Sequence, residues 1–197
     1  VWEMTSGMVH ENDAAERLLA LCGQENMLRS EVKEGKIELK AACDGVFLVD
    51  SSRLIAVNSQ DEVMIATRKG GTAVREGDKL AGMRVIPLII EEEKLQRAET
   101  AAGKEPLLAL RPFVRKTACI VATGSEVKKG LIQDTFTPVV IDKLKTYGIE
   151  TLEVFYSGDG MENVRDAVLA MREKKPDMIL CTGGMSVDPD DNTPGGI

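Results

Sequence analysis

Between residues 12 and 22 the apolar positions Ala15, Leu18, Leu19 and Cys22 recur at helical spacing, and Gly23 supplies a stop. From about Lys36 to Ile90 the pattern shortens to β-rich runs at 37–39, 46–49, 54–57, 63–67, 73–75 and 84–90. Turn chemistry separates them: Asp44-Gly45, Gly70-Gly71, Glu76-Gly77-Asp78 and Ala81-Gly82. A small β-rich module is expected. Residues 91–102 then read as a helix, with three glutamates at its positive end and Gly103 at the C-cap.

Residues 104–116, stiffened by Pro106 and Pro112, read as a linker. Beyond it apolar strands at 118–122, 151–155 and 178–181 alternate with helical patterns at 138–147 and 161–174, the order that crossovers between parallel strands require. Thr137-Pro138 reads as an N-cap and first-turn pair, and Met161, Val164, Val168 and Met171 as one core-facing stripe. The expected fold class is α/β: a partial doubly wound parallel sheet with helices on both faces, preceded by a smaller β-rich module. The expected organisation is a helical segment 1–30, a β-rich auxiliary module 31–103, the linker 104–116 and an α/β domain 117–197. A three-stranded parallel sheet stopping at Gly195-Gly196-Ile197 leaves an edge uncovered, and the first residue is Val1, so part of a longer protein is expected.

Composition narrows the chemistry. With 43% apolar but only 4% aromatic residues, an aliphatic core is expected rather than a base-stacking surface. A net charge of -7 repels a polyphosphate backbone, so no nucleic-acid partner is expected. Cys22, Cys43, Cys119 and Cys181 lack metal-type spacing and read as buried thiols of a reducing compartment rather than a disulfide or zinc framework. His10 is the sole histidine, which leaves carboxylates, lysines or metal-bound water as acid–base groups. No apolar run approaches the roughly 20 residues of a membrane span. No signal-peptide pattern opens the sequence, and a cytoplasmic location away from membranes is expected.

The three parallel strands deliver their loops to one carboxyl edge: Thr123-Gly124-Ser125-Glu126, Tyr156-Ser157-Gly158-Asp159-Gly160 and Thr182-Gly183-Gly184-Met185-Ser186. Glycines let backbone amides approach a phosphate, and threonine and serine add donors. Glu126, Asp159, Asp188, Asp190 and Asp191 would repel that phosphate unless Mg²⁺ or a similar hard cation stood between them. The aspartates around Pro189 also read as turn formers, Asp134 as a helix starter, and Asp44-Gly45 as a hairpin turn. Lys128 and Lys129 read either as phosphate contacts or as a solvated face.

The runs Thr123-Gly-Ser-Glu-Val127, Gly130-Leu-Ile-Gln-Asp134, Ser157-Gly-Asp159 and Thr182-Gly-Gly-Met-Ser-Val-Asp-Pro-Asp-Asp-Asn-Thr-Pro194 resemble, in order and spacing, the molybdopterin-binding domain of molybdenum-cofactor biosynthesis proteins. Ala41-Ala-Cys-Asp-Gly-Val-Phe47 is similar to the Asp-Gly-aromatic segment of the molybdopterin molybdotransferase branch, with Val46 where an aromatic residue is usual. Phe136 stands where many relatives carry asparagine. The resemblance implies an enzyme that takes adenylylated molybdopterin and molybdate and acts with Mg²⁺, usually as a homodimer. It implies catalytic and metal-binding roles for Glu126, Asp159 and Asp191. It also implies pterin or phosphate contacts from Thr123, Gly124, Ser125, Thr182, Gly183, Gly184, Ser186 and Thr193, with Asp44 as an auxiliary acid. Two other readings stay open: a non-catalytic module that binds or senses molybdopterin, and a nucleotide pyrophosphatase of the competence-damage-inducible type.

Overall fold

A computed structural model of the protein describes residues 6–184 and 193–197. The chain divides into two compact units, Val1–Phe113 and Val114–Ile197.

The first unit runs β1 (Met8–His10), α1 (Glu11–Ala20), β2 (Met27–Arg29), β3 (Lys36–Ala41), β4 (Gly45–Val49), α2 (Ser51–Asn58), β5 (Val63–Thr67), β6 (Thr72–Val74), β7 (Lys79–Val85), β8 (Ile89–Glu91), α3 (Glu92–Ala102) and β9 (Leu108–Pro112). Its strands form three antiparallel sheets: β1-β8, β2-β3-β7-β5 and β6-β4-β9. Alternation along β3 buries Ile37, Leu39 and Ala41 while Lys36 and Lys40 face water. Those apolar residues join Leu18 and Leu19 of α1, Phe47, Met83 and Leu95 in one core. The helix expected at the amino end therefore belongs to the same core as the β-rich segment. Arg17 fastens α1 to α3, donating to Glu92 at 2.8 Å and to Glu99 at 2.7 Å.

Three expectations for this unit need correction. Residues 54–57 are not a strand but the middle of α2, where Asp50 accepts the Arg53 amide at 3.1 Å as N-cap. Leu54 and Val57 are buried while Ile55 is 66% exposed, a spacing of three that only a helix produces. The run 84–90 breaks in two because β7 ends at Val85 and β8 begins at Ile89, on either side of Pro87, which has no amide to donate. Residues 104–116 are not a linker throughout, since β9 pairs along the whole of β4 from Val49↔Leu108 to Gly45↔Pro112. Leu108 and Leu110 are its buried residues.

The second unit runs β10 (Thr117–Thr123), α4 (Ser125–Lys128), α5 (Phe136–Thr146), β11 (Glu150–Ser157), α6 (Met161–Arg172) and β12 (Met178–Thr182), followed by a 3-10 turn at Pro194–Gly196. All three strands are parallel in the order β11-β10-β12. The central strand explains the layers. Ala118 and Ile120 pack with Leu144 of α5, whereas Cys119 and Val121 pack with Ala167 and Met171 of α6. Helices therefore cover both faces, the expected α/β architecture. Asp177 ties the strand starts together by accepting the amides of Lys116 at 2.7 Å and Thr117 at 2.9 Å.

Two local expectations shift here. The helix after the first loop begins at Phe136, and its opening amides are taken by Asp134 rather than by Thr137. Met161 is 47% exposed, so the core stripe of α6 is carried by Val164, Ala167 and Met171. Among the described residues no helix is long and apolar enough to cross a membrane, and the four cysteines are free.

Candidate functional site

In the order β11-β10-β12 the chain leaves β10 for one neighbour and returns on the other side. The carboxyl ends of β10 and β12 lie side by side at that reversal, which is where open α/β sheets receive ligands. A threonine cluster occupies it. The Thr123 hydroxyl donates to the Thr182 carbonyl at 3.0 Å and lies 3.3 Å from the Thr193 hydroxyl. Thr193 is 2% exposed, and its amide donates to the Gly184 carbonyl at 3.2 Å. These contacts join the two ends of the segment 184–193.

Gly183 and Gly184 have φ of 86° and 56°, backbone that L side chains rarely adopt. A Cβ on Gly183 would strike the Thr123 carbonyl, and one on Gly184 the Thr193 hydroxyl. The Thr-Gly-Gly sequence is thus required by the close packing of the loop on β10.

The loop after β11 meets the loop after β10. Ser125 donates its amide to Asp159 Oδ2 at 3.0 Å, and the Asp159 amide lies 3.5 Å from Ser125 Oγ. Gly124 donates its amide to the Ser157 carbonyl at 3.2 Å. The Ser125 hydroxyl first, then its amide, with Lys129 nearby, hold the Asp159 carboxyl below the usual carboxylate range. Glu126 is exposed on the first turn of α4.

The structure therefore brings together Thr123, Thr182, Gly183, Gly184 and Thr193 in one cluster, and Gly124, Ser125 and Asp159 in an adjoining one. Ser186 and Asp191 lie outside the described residues, as do Asp188 and Asp190. Among the described residues no group of three or more side chains is arranged to hold a metal ion. Asp44 accepts the Glu76 amide at 2.8 Å in the first unit, a contact distant in sequence; the expected hairpin turn at Asp44-Gly45 is not formed, because β3 and β4 on either side of it belong to different sheets.

Sequence reading undervalued two residues. Asp134 Oδ1 accepts the amides of Phe136 at 2.9 Å and Thr137 at 3.0 Å, while Oδ2 is buried without a hydrogen-bond partner. Burial disfavours its charge, yet the Thr137 hydroxyl and amide, the Phe136 amide and the Tyr156 hydroxyl nearby keep its carboxyl lowered. Asn163 donates to the Asp159 carbonyl at 2.7 Å and props the β11 loop. Its spacing of four from Asp159 was the available signal.

Clustered threonine, glycine and carboxylate loops at the strand-order reversal of a parallel α/β unit occupy the place where such sheets bind ligands. Residues 119–197 match the family described as "probable molybdopterin binding domain". The chain is 34% identical to a "CinA-like protein" of Mycobacterium tuberculosis over 80 residues, 41% of this chain and 19% of that protein. The corresponding figure for a "CinA-like protein" of Mycobacterium avium is 31% over 80 residues, 41% and 18%. The chain spans about a fifth of the length of these curated relatives. Among solved structures, the molybdopterin biosynthesis Mog protein from Mycobacterium ulcerans has 27% identity and a TM-score of 0.38, covering 41% of this chain and 53% of that one. The protein CinA from Thermoplasma acidophilum has 23% identity and a TM-score of 0.39, covering 42% and 48%.

Proposed function

We propose that the Val114–Ile197 unit serves molybdenum-cofactor biosynthesis by binding molybdopterin or its adenylylated form and, within the intact protein, inserting molybdate. The observation that carries this reading is the convergence of Thr123, Thr182, Gly183, Gly184 and Thr193 at the strand-order reversal of a domain that matches the molybdopterin-binding family. Gly183, Gly184 and the segment they open, including Ser186, receive the pterin and its phosphate. Thr123 and Thr193 hold that segment in place.

The donor set suits Mg²⁺, because exposed Glu126 and Asp159 are hard oxygen ligands on neighbouring loops, and Asp159 is kept ionised by Ser125. In this reading Glu126, Asp159 and Asp191 hold the ion. When bound, it offsets the charge between these carboxylates and an anionic substrate. Asp159 and Asp191 orient the substrate phosphate and molybdate, and a second copy of the chain completes a homodimer working in the cytoplasm. Titrating molybdopterin into the protein with and without Mg²⁺, AMP and molybdate tests the proposal. Mg²⁺-strengthened binding supports it, and no binding of molybdopterin under any condition overturns it.

The 34% identity with a CinA-like protein over the same 80 residues favours a second reading, a nucleotide pyrophosphatase of the competence-damage-inducible type. Hydrolysis of ADP-ribose without any response to molybdate distinguishes it from the first. Binding of molybdopterin without turnover by the intact protein identifies the sensing module instead.

A further inference from the structure

The outer face of the sheet β2-β3-β7-β5 holds a trough of about 530 Å³. Strand alternation makes it: Ile37, Met83 and Ile65 turn into the core, so their neighbours turn out. In register, Met64 lies opposite Arg84 and Arg84 opposite Lys36, while in the next row Ala66 lies opposite Gly82 and Gly82 opposite Glu38. Arg68 and Lys79 border the other side of that second row. Arg84 and Arg68 are separated by four residue steps, about 13 Å along the strands.

Two observations single out this face. The first is Gly82. Its φ is not in the left-handed region, and an added Cβ would meet only Lys36 Cε at 3.7 Å and the Ile37 carbonyl at 3.8 Å, ordinary contacts. The fold does not require glycine there, although glycine weakens a strand interior. Glycine at such a place accompanies a bulge, and the β3–β7 register does shift beside it at Leu39/Lys40, or the close approach of a ligand or of another backbone.

The second is charge. On a chain of net charge -7 the trough is lined by four cations, Lys36, Arg68, Lys79 and Arg84, and one carboxylate, Glu38. Lys36 and Lys79 share Glu38 at 2.6 and 3.3 Å, and Arg68 meets Asp78 at 2.5 Å. Arg84 has no carboxylate partner among the described residues, and its Nε donates only to the Val85 carbonyl at 3.2 Å.

We propose that this trough is a binding site for a flat, phosphorylated small molecule of the nucleoside-phosphate class. The planar ring lies over Ala66 and Gly82 against Met64, and Arg84, the lining cation without a carboxylate partner among the described residues, takes the phosphate. The volume is that of a small-ligand site. A folded protein partner needs an interface on the order of 1,000 Å², far more than these two short rows present.

AMP is the probe, and amide NMR shifts of the full chain are the readout, because they distinguish this face from the loops of the second unit. Expected are saturable shifts at Ala66 and Gly82, with AMP bound at least about tenfold more tightly than inorganic phosphate. Arg84→Gln weakens AMP binding about tenfold or more, and Gly82→Val abolishes it while raising the melting temperature. Ala66→Leu fills the same space from the edge strand and gives a second test should Gly82→Val fail to fold. The proposal is overturned if about 10 mM AMP leaves these amides unmoved, if phosphate binds as well as AMP, or if the folded filling variants bind AMP like the parent.

Discussion

Asp159 accepts the Ser125 amide at 3.0 Å, so a carboxylate of the loop between β11 and α6 sits on the amino end of α4. The amide that the sequence offered to a phosphate is already used by the protein itself. A phosphate brought to this point meets a like charge, and a divalent cation between them is what would make the approach favourable. Asp159→Asn keeps a hydrogen-bond acceptor for Ser125 but removes the charge. We expect titration calorimetry to show molybdopterin affinity at least about tenfold weaker in Mg²⁺ and little changed without it. Stability should move by less than about 1 kcal/mol, since Asp159 is largely exposed and solvent-screened. Unchanged affinity with Mg²⁺ present would remove Asp159 from the site.

Gly184 and Thr193 form the second testable contact. An alanine at 184 would take an unfavourable left-handed φ and press its Cβ against the Thr193 hydroxyl. Gly184→Ala should destabilise the protein by about 1–3 kcal/mol in urea unfolding. Thr193→Val keeps the shape but loses the hydroxyl near Thr123, and should cost about 1 kcal/mol. If both variants unfold like the parent, the two ends of this segment are not held by the threonine cluster.

The α/β layering was legible in the sequence because the central strand β10 is apolar on both faces, a pattern that only two helical layers can cover. The Thr-Gly-Gly exit was legible because left-handed backbone selects glycine. Residues 54–57 were misread because a four-residue apolar run fits either period, and the deciding signal was Asp50 four residues upstream of Leu54. The strand 108–112 was hidden by prolines at 106 and 112, of which Pro112 closes the strand and Pro106 precedes it. Asp134 looked like a helix starter, which it is, and its second oxygen became visible only when tertiary packing enclosed it.

Arg17 serves two carboxylates of α3 at once and so joins helices distant in sequence. Its guanidinium holds the Glu92 carboxyl below the usual range. Because the folded value is the lower one, this stabilisation is complete above the unfolded pKa of glutamate and fades as pH falls through the depressed value. Arg17→Met should lower the melting temperature by about 2–4 °C at neutral pH. The difference between variant and parent should shrink in acid and in high salt. A difference independent of both pH and salt would mean that packing of the side chain, not its charge, is what α3 needs.

Asp50 gives the sharper pH test. The Arg53 amide, then the Arg53 and Ser52 side chains, hold its carboxyl at about 2. The sign is again that of a depressed acid: stability from the cap is full at neutral pH and is lost only as pH drops from the unfolded value towards about 2. Asp50→Asn retains capping ability and should cost little, whereas Asp50→Ala leaves the α2 amides uncapped and should lower the melting temperature by several degrees. Parallel melts of the three proteins between neutral and acid pH decide it: Asp50→Ala and the parent should converge in acid, and a constant offset would refute a charge-dependent cap.

Cys22 offers a chemical check on the first unit's core. Burial pushes its thiol up to about 12, so at pH 8 almost none of it is the reactive thiolate. Its side chain packs beside Leu18 and Leu19, and no alkylating reagent reaches it without opening α1. Mass spectrometry after iodoacetamide treatment should find Cys22 unlabelled in the folded protein and fully labelled in denaturant. Raising the pH to about 9 should change little, because exposure limits the reaction as much as ionisation does. Rapid labelling of Cys22 under native conditions would show that α1 detaches from the sheet, and that the shared core does not hold the amino-terminal helix in place.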